Sequence, residues 1–275
     1  MSITLNADIR NNLFSLQQTS KDIGDVQTRI ATGKKVNSPV DDPIAFFKAK
    51  GLSDKASDFL SLKDGLFNAI STVDLTLKSL DTIEDILKQM KGVAESAKGS
   101  AVVADRTAAE AQYDSLRTQL TQVATDASFD GVNLLKATPD TLSVTINTSG
   151  TTYSVAGSAA DATGLAVTAG NDWDNATIAT GTTNIAGDIT KIETALTSVR
   201  SKASTFGSNL AFLKARTDFT EALISEYTKG AEKLTNADLN EESANLLALQ
   251  TRQALAQQSL SFSIQAEQSI LGLFR

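Results

Sequence analysis

The sequence predicts a mainly α fold, an elongated rod of long coiled-coil-like helices with one small β-hairpin and with the N- and C-terminal helices paired. Three observations lead there. Apolar residues recur every seven positions through long stretches of the chain, the period of a helix with a packed seam. One short segment, near residues 141–156, alternates apolar and polar residues as a half-buried hairpin does. Ser243 to Arg275 carries charge only at Arg252, Glu267 and Arg275 and has apolar residues in every direction round a helix, so it needs cover from other helices.

The first helix is predicted over residues 1–31, where Ile9, Leu16, Ile23 and Ile30 fall seven apart and Leu5 and Val26 precede two of them by four. Gly33 with Lys34 and Lys35 supplies a glycine stop and cations at the negative helix end. Asp42 before Pro43 caps the next helix, with proline at its first position.

The strongest periodicity follows. Phe59, Leu66, Val73, Leu80, Leu87 and Ala94 form one seam, and Leu62, Ala69, Thr76, Ile83, Met90 and Ala97 the second; six heptads make a helix of roughly 60 Å. Gly99 and Ser100 interrupt it. Another helix places Ala109, Tyr113, Leu116, Leu120, Val123 and Ala127 on one face and is expected to run to a turn at Asp130 and Gly131. Leu142, Val144 and Ile146, then Thr151 to Val155, predict the hairpin. Residues 157–187, which contain Trp173, have no periodicity and are expected as loop, with Trp173 a packing residue or incidentally exposed. Three-four spacing returns at Ile189 and runs through Ile192, Leu196, Val199, Phe206 and Leu213, loosening at Thr217 and Thr220. Asn236 to Asn240 breaks the pattern before the final helix.

The domain organisation expected from this layout is a terminal coiled-coil domain of residues 1–36 and 236–275 and a helical bundle of residues 37–235 with the hairpin near 141–156. Residues 158–187 would be a short variable loop.

Composition removes whole classes of chemistry. The chain of 275 residues has net charge −7 and no basic run, against the basic footprint of a nucleic-acid binder. It has no cysteine and no histidine, which leaves no thiolate site, no imidazole base and no Ser-His-Asp arrangement. Its uninterrupted apolar runs are far short of the ~20 residues that span a bilayer, so no membrane insertion is expected. Met1 to Arg10 lacks the basic and apolar regions of a secretory signal. Asp41 and Asp42 could form an acid–base pair but are explained by capping. Gly33 and Lys34 fail the phosphate-loop pattern at Thr28 and Lys35, and the calcium-loop start at Asp126, Ser128, Asp130 and Gly131 lacks its closing glutamate at Ala137. No catalytic residue, cofactor or metal site is expected.

Three segments together resemble the bacterial flagellins: Ile30 to Val36 followed by Asp41, Asp42 and Pro43; Phe129 to Leu135; and the ending from Ala237 through Glu241 and Leu246 to Leu271, Gly272, Leu273, Phe274 and Arg275. The short length and Leu-Phe-Arg ending look most like compact alphaproteobacterial members. The resemblance implies a structural subunit of the extracellular filament that drives bacterial motility, with paired terminal helices lining an inner tube and the longer helices forming an outer tube. It further implies a homopolymer, export without a cleaved signal peptide through the flagellar type III export apparatus, and an export chaperone, filament cap and hook-junction proteins as partners. Lys91 and Gly92 depart from the stretch that the mammalian flagellin receptor recognises, so weak recognition is expected. The residues expected to carry self-association are Leu5, Ile9, Leu16, Ile23 and Ile30 at one end and Leu246, Leu249, Leu260, Ile264, Leu271 and Phe274 at the other. The other readings to weigh are a hook-filament junction protein and a secreted pore-forming or translocator protein.

Overall fold

The structure, a computed structural model, describes residues 7–273. Helix α1 (Ala7–Thr32) stops where Gly33 turns into the left-handed region at φ +68°, a conformation that costs glycine little. Helix α2 (Pro43–Gly99) starts as expected, with Asp42 Oδ1 accepting the Ala45 N–H at 3.0 Å. Its 57 residues make a helix of about 85 Å. Of the twelve predicted seam positions Leu62 is half-buried and the other eleven are buried.

Helix α3 (Val103–Asp126) packs Tyr113, Leu116, Leu120 and Ala124 into the same core. It ends earlier than its periodicity suggests. Asn133, 4% exposed, donates its amide hydrogens to the Ala124 and Thr125 carbonyls at 3.0 and 2.8 Å, satisfying carbonyls that a helix end leaves open. The Asp130–Gly131 turn instead joins two short strands, β1 (Ser128–Phe129) and β2 (Val132–Asn133). Both turn residues have positive φ, as a two-residue hairpin turn of this hand requires.

The predicted hairpin is present as antiparallel strands β3 (Thr141–Thr145) and β4 (Thr152–Ala156), with Val144 and Val155 turned into the core. Asn147 shapes the connection, its Oδ1 accepting the Ser149 and Thr151 N–H groups.

Residues 157–177 have no regular secondary structure but are not a loose loop. Trp173 is wholly buried, with Ala160, Ala162, Leu165 and Val167. Its Nε1–H donates to Asp188 at 2.8 Å, and its ring lies 5.0 Å from that of Tyr113. Helix α4 (Ile178–Thr235) begins well before Ile189, because its first turns are Thr-, Gly- and Ala-rich and bury few large apolar side chains to reveal a period. Thr217 and Thr220, expected to loosen the seam, are buried, and each hydroxyl donates to its own helix, at the Leu213 and Arg216 carbonyls. Helix α5 (Leu239–Leu273) completes the chain, with Asp238 as its cap.

The described residues form two compact units. One comes from the two ends of the chain, up to Ala56 and from Ser225; the other spans Ser57–Ile224 and contains α3, the hairpins and most of α2 and α4. In the second unit α2 and α4 are also joined by the ion pairs Lys63–Glu221, Glu84–Arg200 and Lys91–Glu193, exposed contacts of small energy.

Candidate self-association surface

Packing of α1 against α5 organises the unit made by the chain ends. Backbone hydrogen bonds fasten its base: Lys35 N–H donates to the Thr235 carbonyl at 2.8 Å and Ala237 N–H to the Gly33 carbonyl at 3.0 Å. Asp41, beside the α2 cap, accepts from the Ser38 and Asn37 N–H groups and the Ser38 hydroxyl. These bonds, that to the Ser38 N–H first, hold its carboxyl below the usual range. Asp41 and Asp42 therefore shape the linker.

The residues expected to self-associate do not share one environment. Ile9 is buried at 5%, and Leu16, Ile23, Ile30, Leu246, Leu249 and Leu260 are half-buried in the α1–α5 pair. Ile264 stays 41% exposed. Leu5 and Phe274 lie outside the described residues, as does the Leu271 side chain.

Within α1 and α5 the most exposed apolar side chains are others: Phe14 at 71%, Leu247 at 67%, Leu255 at 66% and Phe262 at 60%. On a helix of 100° per residue Leu247, Leu255 and Phe262 fall within an arc of about 80°, roughly opposite Leu249 and Leu260. Helix α5 thus has two apolar faces, one packed on α1 and one bare. Its all-round apolarity signalled burial without separating the faces; the residues spaced seven or eight apart from Leu247 would have done so. Phe14 carried no comparable signal, since it lies off the Ile9–Leu16–Ile23 seam.

Among the described residues one charged contact crosses the α1–α5 pair: Arg29 Nη1 lies 3.4 Å from Glu242 Oε1. The other carboxylate oxygen of Glu242 is buried without a hydrogen-bond partner among the described residues. Among those residues no cluster of His, Cys, Asp or Glu could hold a metal, and no helix is long and apolar enough to cross a membrane. A bare apolar stripe on a helix pair binds other protein surfaces rather than transforming a substrate.

Comparisons with known proteins agree on one family. Residues 3–140 match the bacterial flagellin N-terminal helical region, and residues 189–274 the bacterial flagellin C-terminal helical region. Flagellin FljO of Caulobacter vibrioides is 34% identical over 275 residues, covering 100% of this chain and 98% of the relative. A flagellin of Brucella melitensis is 29% identical, covering 100% and 99%. A putative flagellar hook-associated protein of Vibrio parahaemolyticus shares the fold, with a TM-score of 0.58 at 17% identity over 71% of this chain and 100% of that one. The chain belongs to the bacterial flagellin family and is a structural protein, not an enzyme, that self-assembles as a subunit of the extracellular flagellar filament.

Proposed function

We propose that the bare stripe of α5, Leu247, Leu255 and Phe262, together with Phe14 of α1, is the surface through which subunits polymerise. In this reading residues 1–36 and 236–275 line the inner tube of a filament used for motility, residues 37–235 build the outer tube, and Ile264, Leu271 and Phe274 extend the contact toward the tip. The predicted set Leu5, Ile9, Leu16, Ile23, Ile30, Leu246, Leu249 and Leu260 contributes mainly by holding the helix pair together. Subunits leave the cell through the flagellar type III export apparatus without a cleaved signal peptide, escorted by an export chaperone, and add beneath the filament cap on a base of hook-junction proteins.

What supports the reading is the exposure of four large apolar side chains on the helix pair. Burying each is worth about 1.5–3 kcal/mol at most, against about 4–15 kcal/mol for the lost freedom of association. One neighbour is thus marginal and several together suffice, which is the energetics of a filament. Unlike surfaces meeting under a rotation that does not close generate a helical polymer. The test is to replace Leu247, Leu255 and Phe262 with Ser and compare filament formation by electron microscopy and sedimentation. Loss of filaments with an unchanged thermal transition supports the surface. Filaments of normal length would overturn it.

A further inference from the structure

In the unit spanning Ser57–Ile224 a groove of about 640 Å³ lies between the end of β4 and the middle of α4. It is distinct in chemistry from the polymerising stripe. Lys202 projects into it half-buried, and the one partner of its ammonium group among the described residues is the Ser158 hydroxyl at 2.5 Å. Among the described residues no carboxylate pairs with it: Glu193 on the same helix is held by Lys91, and burial lowers the Lys202 pKa. A desolvated cation with one neutral partner is under-compensated.

The hydroxyls around it divide into two kinds. Thr194, Thr197 and Thr205 donate to carbonyls of their own helix, at Thr190, Glu193 and Ser201, and so face the groove as acceptors. The Ser198 and Ser201 hydroxyls have no hydrogen-bond partner among the described residues and, with Lys202, are donors available to a ligand. Phe206 and Ala156 give the wall an apolar portion. We propose that this groove is a binding site for a small polyhydroxylated anion, with Lys202, Ser198 and Ser201 holding its carboxylate or phosphate and the threonine hydroxyls accepting from its hydroxyl groups.

The pairing supplies the counter-charge that Lys202 lacks, and a charge-assisted hydrogen bond is roughly twice as strong as a neutral one. The volume lies within the range of small-molecule sites. The site does not rest on the assignment of the α5 stripe.

The test uses full-length protein, as monomer and as filament, titrated calorimetrically with glucuronate, glucose 6-phosphate and neutral glucose. Acylation of Lys202 is followed in parallel by peptide mass spectrometry. At least one anion should bind with a Kd below about 10 mM and slow Lys202 acylation, while glucose does neither; which of the two binds more tightly assigns the head group. Lys202→Gln should weaken the bound anion about tenfold. The double variant Ser198→Ala with Ser201→Ala, which alters no described side-chain bond, should weaken it about threefold without changing the thermal transition. Binding of glucose equal to that of the anions, absence of any binding, or unaltered affinity in both variants overturns the proposal. So does protection of Lys202 on polymerisation without added ligand, since a second copy then fills the groove.

Discussion

Arg106 and Trp173 meet with neither reaching solvent: the Arg106 Nε–H donates to the Trp173 carbonyl at 2.8 Å. The same guanidinium donates to the Ser100 and Asn175 carbonyls at 3.2 and 2.7 Å, so one buried cation gathers the α2–α3 turn and the segment before α4. Its charge is balanced by carbonyl dipoles, an arrangement suited to the planar fork of arginine and poorly to lysine. Both Arg106→Lys and Arg106→Ala should therefore lower stability, by roughly 2–4 kcal/mol, since one buried and two part-buried carbonyls lose donors. Trp173 is the sole tryptophan, so its emission should shift to the red before or together with the thermal transition. A blue emission retained in both variants would show that the segment holds without the cation.

This cluster also marks where the sequence was opaque. The long helices were legible because heptads put bulky side chains at fixed spacing, and positions from Phe59 to Ala97 bury almost as expected. The Trp173 segment is held by hydrogen bonds to backbone carbonyls and by packing of Ala, Val and Leu in irregular order, neither of which leaves a period. Helix α5 was legible as needing partners but not as two-faced, because Leu249 and Leu260 on the packed side and Leu247 and Leu255 on the bare side cancel in any one-face pattern. Lys202 was invisible for a further reason: its environment depends on Ser158, far away in the chain.

Asn133 explains why the Phe129–Leu135 segment has its composition. Besides its two bonds to α3, its Oδ1 accepts the Leu135 and Lys136 N–H groups at 2.8 and 2.9 Å. Asn133→Asp keeps the shape but swaps two donors for a carboxylate aimed at helix carbonyls, which carry the negative end of the dipole. A loss of about 2–4 kcal/mol is expected, larger than that of Asn133→Ala, and should show as a lower denaturant midpoint with unchanged slope. Equal losses in the two variants would mean that the cavity, not the charge, dominates.

Glu110 gives the protein a dependence on pH of definite sign. Burial first, then the charge of Asp174, raises its carboxyl above the ordinary value. The folded state then holds this proton more tightly than the unfolded chain, so the contribution of Glu110 to stability is greatest below the ordinary carboxylate range and declines as pH rises through the raised value. Glu110→Gln removes that decline. The variant should match the parent in melting temperature at pH 3 and exceed it at pH 7. A constant difference across that interval would place the effect in packing against Gly170, whose lack of a side chain lets Glu110 approach.

Between α1 and α5 the Arg29–Glu242 contact makes opposite predictions for its two partners. Glu242 is 8% exposed with one oxygen unpartnered among the described residues, whereas the Arg29 side chain is 45% exposed and 3.4 Å away. The carboxylate has been removed from water for one long contact, so neutralising it costs little while stripping its cation leaves a buried charge alone. Arg29→Ala should destabilise the helix pair by about 1–2 kcal/mol, Glu242→Gln should change it by less than about 0.5 kcal/mol, and the double variant should resemble Glu242→Gln. Hydrogen exchange along α5 reads the pair directly, since faster exchange from Leu246 to Leu260 reports opening of that helix. If Glu242→Gln opens α5 as much as Arg29→Ala does, the contact holds the pair together and its geometry, not its charge imbalance, governs the docking of the chain ends.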